Sequence, residues 1–67
     1  MSVVKVIEVI AESEKGWEDA AAQALTEAQR SIRNVSSIYI KDFKADVENG
    51  KITSYRVNAK VSFLLEG

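Results

Sequence analysis

The order of three patterns along this chain constrains its fold more than any other feature. A short strand pattern comes first, the segment from Gly16 to Ala22 opens a helix, and a long hairpin follows, all within 67 residues. One helix can cover only one face of the sheet that such strands form. A chain this small also buries only about 60% of the surface that its unfolded form exposes. We therefore expect the core to be completed by something outside a single chain.

Two residue types are missing from the sequence, and their absence limits the ways in which the core can be completed. The sequence contains no Cys and no His, which excludes disulfides and thiolate metal sites and removes the commonest general base. Among the usual ways to stabilise a small domain, oligomerisation remains. The sequence therefore predicts a single domain over residues 1–67 that associates with itself and is not an enzyme.

Charge and hydropathy exclude two classes of partner. Nine Lys and Arg residues against ten Asp and Glu give a net charge of -1, whereas a nucleic-acid-binding domain usually has a basic excess. No apolar run approaches the roughly 20 residues that a membrane span requires, and no signal-peptide pattern opens the chain. We therefore expect no nucleic-acid partner, no membrane contact and a cytoplasmic location.

The spacing of the apolar residues changes between the predicted first strand and the predicted helix. Residues Val3 to Ala11 are rich in β-branched side chains, which predicts a strand, and Glu12 to Lys15 form a polar connection. From Trp17 onward the apolar residues follow a helical repeat. The predicted helix stripe consists of Trp17, Ala21, Ala24, Leu25, Ala28 and Ile32. Trp17 is expected to anchor the core or an interface.

Both ends of this helix carry capping signals. Gly16 is an acceptable N-cap, and Glu18 and Asp19 place negative charge in the first turn, where the helix dipole favours it. Arg30 and Arg33 place positive charge at the other end. Asn34 can then leave the helix through a left-handed conformation.

The second half of the chain predicts a hairpin. Val35 to Val47 and Lys51 to Leu65 are the predicted strands, and Asn49-Gly50 is a strong signal for a tight turn between them. The last strand alternates regularly, with an apolar face that comprises Thr53, Tyr55, Val57, Ala59, Val61, Phe63 and Leu65. The preceding strand alternates less clearly: simple alternation places Ser36, Ile38, Ile40 and Asp42 on one side and Ser37, Tyr39, Lys41 and Phe43 on the other. A bulge or bend near residues 43–46 would fit this weak pattern. The patterns together predict an α+β fold with the order β-α-β-β.

Six segments, taken in order, resemble one protein family. They read V-K-V-I-E-V-I, G-W-E-D-A-A, R-S-I-R-N-V, I-Y-I-K-D-F, E-N-G-K-I and Y-R-V-N-A-K-V-S-F. Their order and spacing over essentially the whole chain resemble the dodecin family of small flavin-binding proteins. The resemblance implies a three-stranded antiparallel sheet that curls partly around one helix. It also implies a hollow, spherical homododecamer that binds riboflavin or FMN near its subunit interfaces.

The resemblance also identifies candidate flavin-binding residues, with two departures from the family pattern. Ser37 stands where many members have a Trp that stacks on the flavin ring, and Arg56 stands where a Gln commonly meets the ring's polar edge. Arg has five donors and no acceptor, so it cannot accept a hydrogen bond from the ring N–H. Asp42 matches an acidic position near the ribityl chain, and Lys44 matches a position where a basic group could meet a phosphate. Tyr39, on the same predicted strand face as Ser37, is the candidate for a compensating ring, and we expect weak flavin binding.

A structural cage with a degenerate flavin site is the alternative function, and it would bind a metal ion such as calcium. Hard cations such as calcium or magnesium prefer several oxygen ligands, and four acidic residues crowd the strand-to-helix connection. They are Glu12, Glu14, Glu18 and Asp19. A solvated connection with favourable helix-dipole placement explains the same residues, so the sequence does not identify metal ligands.

Overall fold

The described chain, residues 3–65 of the computed structural model, forms one sheet and one helix. The elements are β1 (Val3–Ser13), α1 (Trp17–Gln29), β2 (Val35–Glu48) and β3 (Lys51–Leu65). The strand order is β1-β3-β2, and both neighbouring pairs are antiparallel. The α+β fold and the β-α-β-β order predicted from the sequence are therefore confirmed.

The first strand is longer, and the helix shorter, than the patterns predicted. Pairing of β1 with β3 continues through Glu12 and Ser13, so half of the predicted polar connection belongs to the strand. The helix ends at Gln29 with Arg30 as its C-cap, and its last turn contains no basic residue. The predicted stripe residue Ile32 therefore lies beyond the helix, and Arg30, as the C-cap, and Arg33 place their positive charge just after its last turn.

Left-handed residues occur where the sequence predicted them. Asn49 (φ 51°) and Gly50 (φ 75°) form the β2–β3 turn, and two consecutive positive φ angles are the mark of a type I′ hairpin. Asn34 has φ 62°, and its carbonyl accepts a hydrogen bond of 3.2 Å from the backbone N–H of Leu64. The turn after the helix is thus hydrogen-bonded to β3. This bond fixes the position of the chain immediately before β2.

The core is narrow and made of small side chains. Its fully buried or nearly buried apolar residues are Ala20, Ala24, Ala28, Val57, Ala59 and Val61. The helix contributes a row at intervals of four, so Ala24 and Ala28 confirm the predicted stripe, whereas Ala20 was missed and Ala21 is only half-buried. Alanine lets α1 lie close to the strands, where it packs mainly on β1 and β3. Each alanine buries little area, however, so this core stabilises one chain only modestly.

The helix covers one face of the sheet, here called the inner face, and leaves the opposite face, the outer face, open. Residues directly opposite one another across two strands share a face. By that criterion the outer-face residues, as far as the register shift after Asp46, are Val4, Val6, Glu8, Ile10, Glu12, Ser37, Tyr39, Asp42, Lys44, Asp46, Ser54, Arg56, Asn58, Lys60, Ser62 and Leu64. In residues 3–65 no helix or strand packs on this face. The expectation that one helix leaves the sheet half-covered is met.

Candidate functional site

A break in the β2–β3 register decides which β2 side chains reach the outer face. Ile40 lies opposite Ala59 and Asp42 lies opposite Asn58, so one extra residue is inserted in β2 between them. Simple alternation places Asp42 on the side of Ile40, and that prediction is wrong. Because of the bulge, Asp42 joins the outer face while Phe43 continues the inner face that Ile38 and Ile40 began.

The bulge gathers all five sequence-predicted ligand residues on one face. Ser37, Tyr39, Asp42 and Lys44 lie along β2, and Arg56 lies opposite Lys44 on β3. The five span the stretch of β3 from Ser62, which is opposite Ser37, to Arg56. At about 3.3 Å per residue this stretch is roughly 20 Å long. The predicted residues therefore form one continuous band across the open side of the sheet.

A cluster of hydroxyl groups occupies one end of this band. Ser37 and Ser62 share a hydrogen bond between their Oγ atoms, and Ser36 Oγ donates to the backbone oxygen of Ser62 at 3.3 Å. No aromatic ring stands at position 37, but Tyr39 follows on the same face with 65% of its surface exposed. This end offers hydroxyl groups and one accessible ring.

The other end of the band carries two cations, each already paired with an acid. Arg56 Nε donates to Glu12 Oε1 at 2.7 Å, and its Nη2 bonds to the same oxygen. The hydrogen bond to Glu12 raises the pKa of Arg56 above its ordinary value. Lys44 Nζ lies 3.7 Å from Asp46 Oδ1. The Glu12–Arg56 pair was not foreseen, because only the strand register brings these distant residues together.

An unpartnered acceptor lies at the centre of the band. The Oδ1 atom of Asn58 is buried and has no hydrogen-bond partner among the described residues. Asn58 lies between Ile10 and Asp42 across the three strands. A buried acceptor without a partner costs about 1–3 kcal/mol, so rotation of this amide toward a donor above the face would relieve that cost. Asn58 is a candidate ligand residue that the sequence reasoning missed.

Trp17 lies behind the charged end, on the inner face. Its ring packs edge-to-face on Tyr55 (centroids 5.0 Å apart) and Phe43 (5.9 Å), and its Nε1 donates to the Lys44 carbonyl at 3.0 Å. Trp17 therefore fastens the start of α1 to the segment that carries Lys44, as its helical phase predicted for an anchor.

The acidic residues of the strand-to-helix connection do not assemble into a metal site within one subunit. Glu12 pairs with Arg56, and Asp19 Oδ2 accepts hydrogen bonds from Ser13 (2.5 Å) and Gln23 (2.8 Å). The bond from Ser13, followed by that from Gln23, lowers the pKa of Asp19. In the described part of the chain no group of three or more Asp or Glu residues is placed to hold a metal ion. Asp19 lies in the first turn of α1, which agrees with the helix-dipole explanation of this residue.

Across residues 3–65 no helix combines the length and apolar character that crossing a membrane requires.

Comparisons with known proteins agree with this geometry. A family model described as Dodecin matches residues 3–66. The calcium dodecin of Mycobacterium tuberculosis is 43% identical over 65 residues, which cover 94% of this chain and 89% of that protein. The dodecin of Thermus thermophilus is 30% identical over 64 residues, which cover 96% and 93% of the two chains.

Two solved structures extend the comparison to three dimensions. A single-substitution variant of T. thermophilus dodecin superposes with a TM-score of 0.94 at 28% identity, over 100% of both chains. The M. tuberculosis calcium dodecin, described as having a novel calcium-binding site, superposes with a TM-score of 0.81 at 35% identity. That match covers 96% of this chain and 91% of the other.

Proposed function

Because this chain belongs to the dodecin family, we propose that it is a binding and storage protein and not an enzyme. In this proposal it forms a hollow homododecamer that sequesters a flavin, riboflavin or FMN, between outer faces. The observation that carries the proposal is the bulge between Ile40 and Asp42, which brings the five candidate ligand residues onto one open face.

The chemistry of the band fits a flavin in part. A flavin combines a flat ring, a polar edge with carbonyl and N–H groups, and a ribityl chain of hydroxyls. Tyr39 offers an accessible ring face, Arg56 offers donors to the carbonyls, and the Asn58 amide has both a donor and an acceptor for the polar edge. Asp42 is opposite Asn58 and can accept from ribityl hydroxyls. Ser37 supplies no ring, so the proposed binding is weak.

The apolar surface of the outer face supports self-association. Five large apolar or aromatic side chains on this face are exposed in the single subunit: Val4, Val6, Ile10, Tyr39 and Leu64. Contiguous apolar surface of this kind marks an interaction site in stable proteins. The count of twelve subunits rests on family membership.

Native mass spectrometry tests assembly and ligand together. The purified protein is measured alone and with riboflavin or FMN, and flavin fluorescence is titrated in parallel. We expect the mass of twelve 7.4 kDa chains, increasing by discrete flavin masses, and quenching of flavin fluorescence on binding. A twelve-chain particle that takes up neither flavin would refute the flavin proposal and keep the assembly. A monomer or dimer would refute the assembly itself.

Calcium binding is a second candidate function. It is favoured by the 43% identity to a calcium dodecin and by Ser37, whose hydroxyl group stands where the flavin-binding pattern has a ring and bonds to Ser62. Because no three-acid group forms within residues 3–65, calcium would require carboxylates from several subunits. Magnesium is the matched control ion, since it demands smaller and more regular coordination.

The calcium test compares melting temperatures with calcium, with magnesium and with a chelator. The double substitution Glu12→Gln and Glu14→Gln should abolish a calcium-dependent rise if these carboxylates serve as ligands. An unaltered rise would remove them from the site, and the absence of any rise in the unsubstituted protein would refute calcium binding.

A further inference from the structure

Two of the three basic residues on the outer face, those at its charged end, are already paired with an acid. Lys44 and Arg56 lie directly opposite one another. Arg56 holds Glu12 through two nitrogen atoms, and Lys44 lies 3.7 Å from Asp46. Ser54 Oγ also donates to Asp46 at 3.0 Å, which holds that carboxylate beside the cations.

The charge of the whole outer face points the same way. Its acidic residues are Glu8, Glu12, Asp42 and Asp46, and its basic residues are Lys44, Arg56 and Lys60. Four acids against three bases give a net charge of −1. Lys41, which lies in the bulge without a register partner, would only bring the sum to zero if it were counted.

A phosphate group would meet competition at this charged end. A phosphate monoester carries about −1.5 to −2 charges at pH 7. To bond Lys44 or Arg56 it must displace a carboxylate or lie beside one, so each new ion pair is offset by a lost one or by repulsion. A neutral ribityl chain has no such conflict, because its hydroxyls can donate to the carboxylates and accept from the cations.

We infer that the outer face selects an uncharged flavin, so that riboflavin binds in preference to FMN. The inference rests on the proposed function and specifies the ligand. It assigns Lys44 to an ion pair with Asp46, in contrast to the phosphate contact that its sequence position suggested.

The experiment measures the dissociation constants of riboflavin and FMN by fluorescence quenching, at low and at high salt. We expect riboflavin to bind several-fold more tightly than FMN. Added salt should improve FMN binding, since it screens the repulsion, and should leave riboflavin binding nearly unchanged.

Two substitutions distinguish the effect of the charge at this end of the face from the effect of the net charge of the protein. Asp46→Asn keeps the shape and the acceptor for Ser54 but frees Lys44, and should shift the preference toward FMN by roughly twofold to fivefold. Glu27→Gln removes the same charge from α1, on the other side of the sheet, where Glu27 is exposed and pairs with Arg30. This control substitution should leave the ratio of the FMN and riboflavin dissociation constants unchanged.

The outcomes are distinct. Tighter binding of FMN, with an affinity that falls as salt rises, overturns the inference while the proposed flavin function stands. Equal shifts in Asp46→Asn and Glu27→Gln overturn the role of the Asp46 pair. Binding of neither flavin overturns both proposals. If Asp46→Asn loses the assembly in native mass spectra, the riboflavin-to-FMN ratio and its salt dependence in the unsubstituted protein decide alone.

Discussion

Substitution of Ser37 by Trp is the most direct test that the outer face is a flavin site. Ser37 is exposed, lies opposite Ser62, and is followed two residues later by the exposed ring of Tyr39 on the same face. An indole at this position projects from the sheet beside Tyr39. It would supply a stacking surface at position 37, in addition to the smaller ring of Tyr39.

The expected gain follows from the energy of stacking. An aromatic pair contributes about 0.5–1.5 kcal/mol beyond the area that it buries. Since about 1.4 kcal/mol corresponds to a tenfold change in the dissociation constant, Ser37→Trp should tighten flavin binding by roughly twofold to twelvefold. The substitution also removes the exposed hydrogen bond between Ser37 and Ser62. That loss affects the stability of the subunit and not the stacking of the flavin ring.

Fluorescence titration with riboflavin gives the dissociation constants, and native mass spectrometry verifies that the particle is intact. Ser37→Leu is the matched control, because it adds apolar area without a ring. Tightening and stronger quenching in the Trp variant alone are expected. If Trp and Leu tighten binding equally, stacking is not the cause. If neither substitution changes binding, Ser37 does not face the flavin and the reasoning is refuted.

Three predictions concern the packing that supports this face. Trp17→Phe keeps an aromatic ring at this position but removes the hydrogen bond to the Lys44 carbonyl. It should lower the free energy of unfolding, measured in urea, by about 1 kcal/mol. An unchanged midpoint of urea unfolding would contradict a stabilising role for that hydrogen bond. Ala24→Leu should cost about 1–3 kcal/mol or prevent folding, since Ala24 is fully buried against the sheet, whereas Ala22→Leu on the exposed side should change little. The pKa of Asp19 is lowered in the folded chain, so its ionised carboxylate stabilises the fold at pH values above the ordinary pKa of 3.8. This stabilisation is lost as the pH falls through the lower pKa of the folded state. Asp19→Asn should therefore flatten the acid limb of a melting-temperature profile, and an equally steep limb would show that other groups control it.

The parts of the fold that the sequence predicted are those with a strong local signal. The Asn49-Gly50 turn needs two left-handed residues, and these two residue types adopt that conformation readily. The regular alternation of β3 correctly predicted its buried residues, Val57, Ala59 and Val61. Element ends were less accurate, because the end of β1 depends on pairing with β3 rather than on its own residues.

The missed features depend on contacts across strands. The bulge leaves only a weak trace in the sequence: the apolar residues shift from even to odd positions between Ile40 and Phe43, and that shift of phase could have located it. Glu12 and Arg56 are 44 positions apart, so no spacing rule joins them. Asn58 alternates normally within its strand, and only its lack of a partner distinguishes it.

On the proposed function, ligand binding and assembly use the same surface and must therefore be thermodynamically linked. The narrow alanine and valine core leaves the subunit dependent on its neighbours, and a flavin held between outer faces binds the assembled form only. Such a ligand stabilises the assembly by about 1.4 kcal/mol per site when its free concentration is ten times the dissociation constant. A substitution on this face can then weaken binding either by removing a ligand contact or by loosening the particle. The two causes can be distinguished in the absence of flavin, because only the second reduces the fraction of protein that native mass spectrometry finds in the twelve-chain particle. Each affinity measured for a variant of this face therefore needs that fraction measured with it.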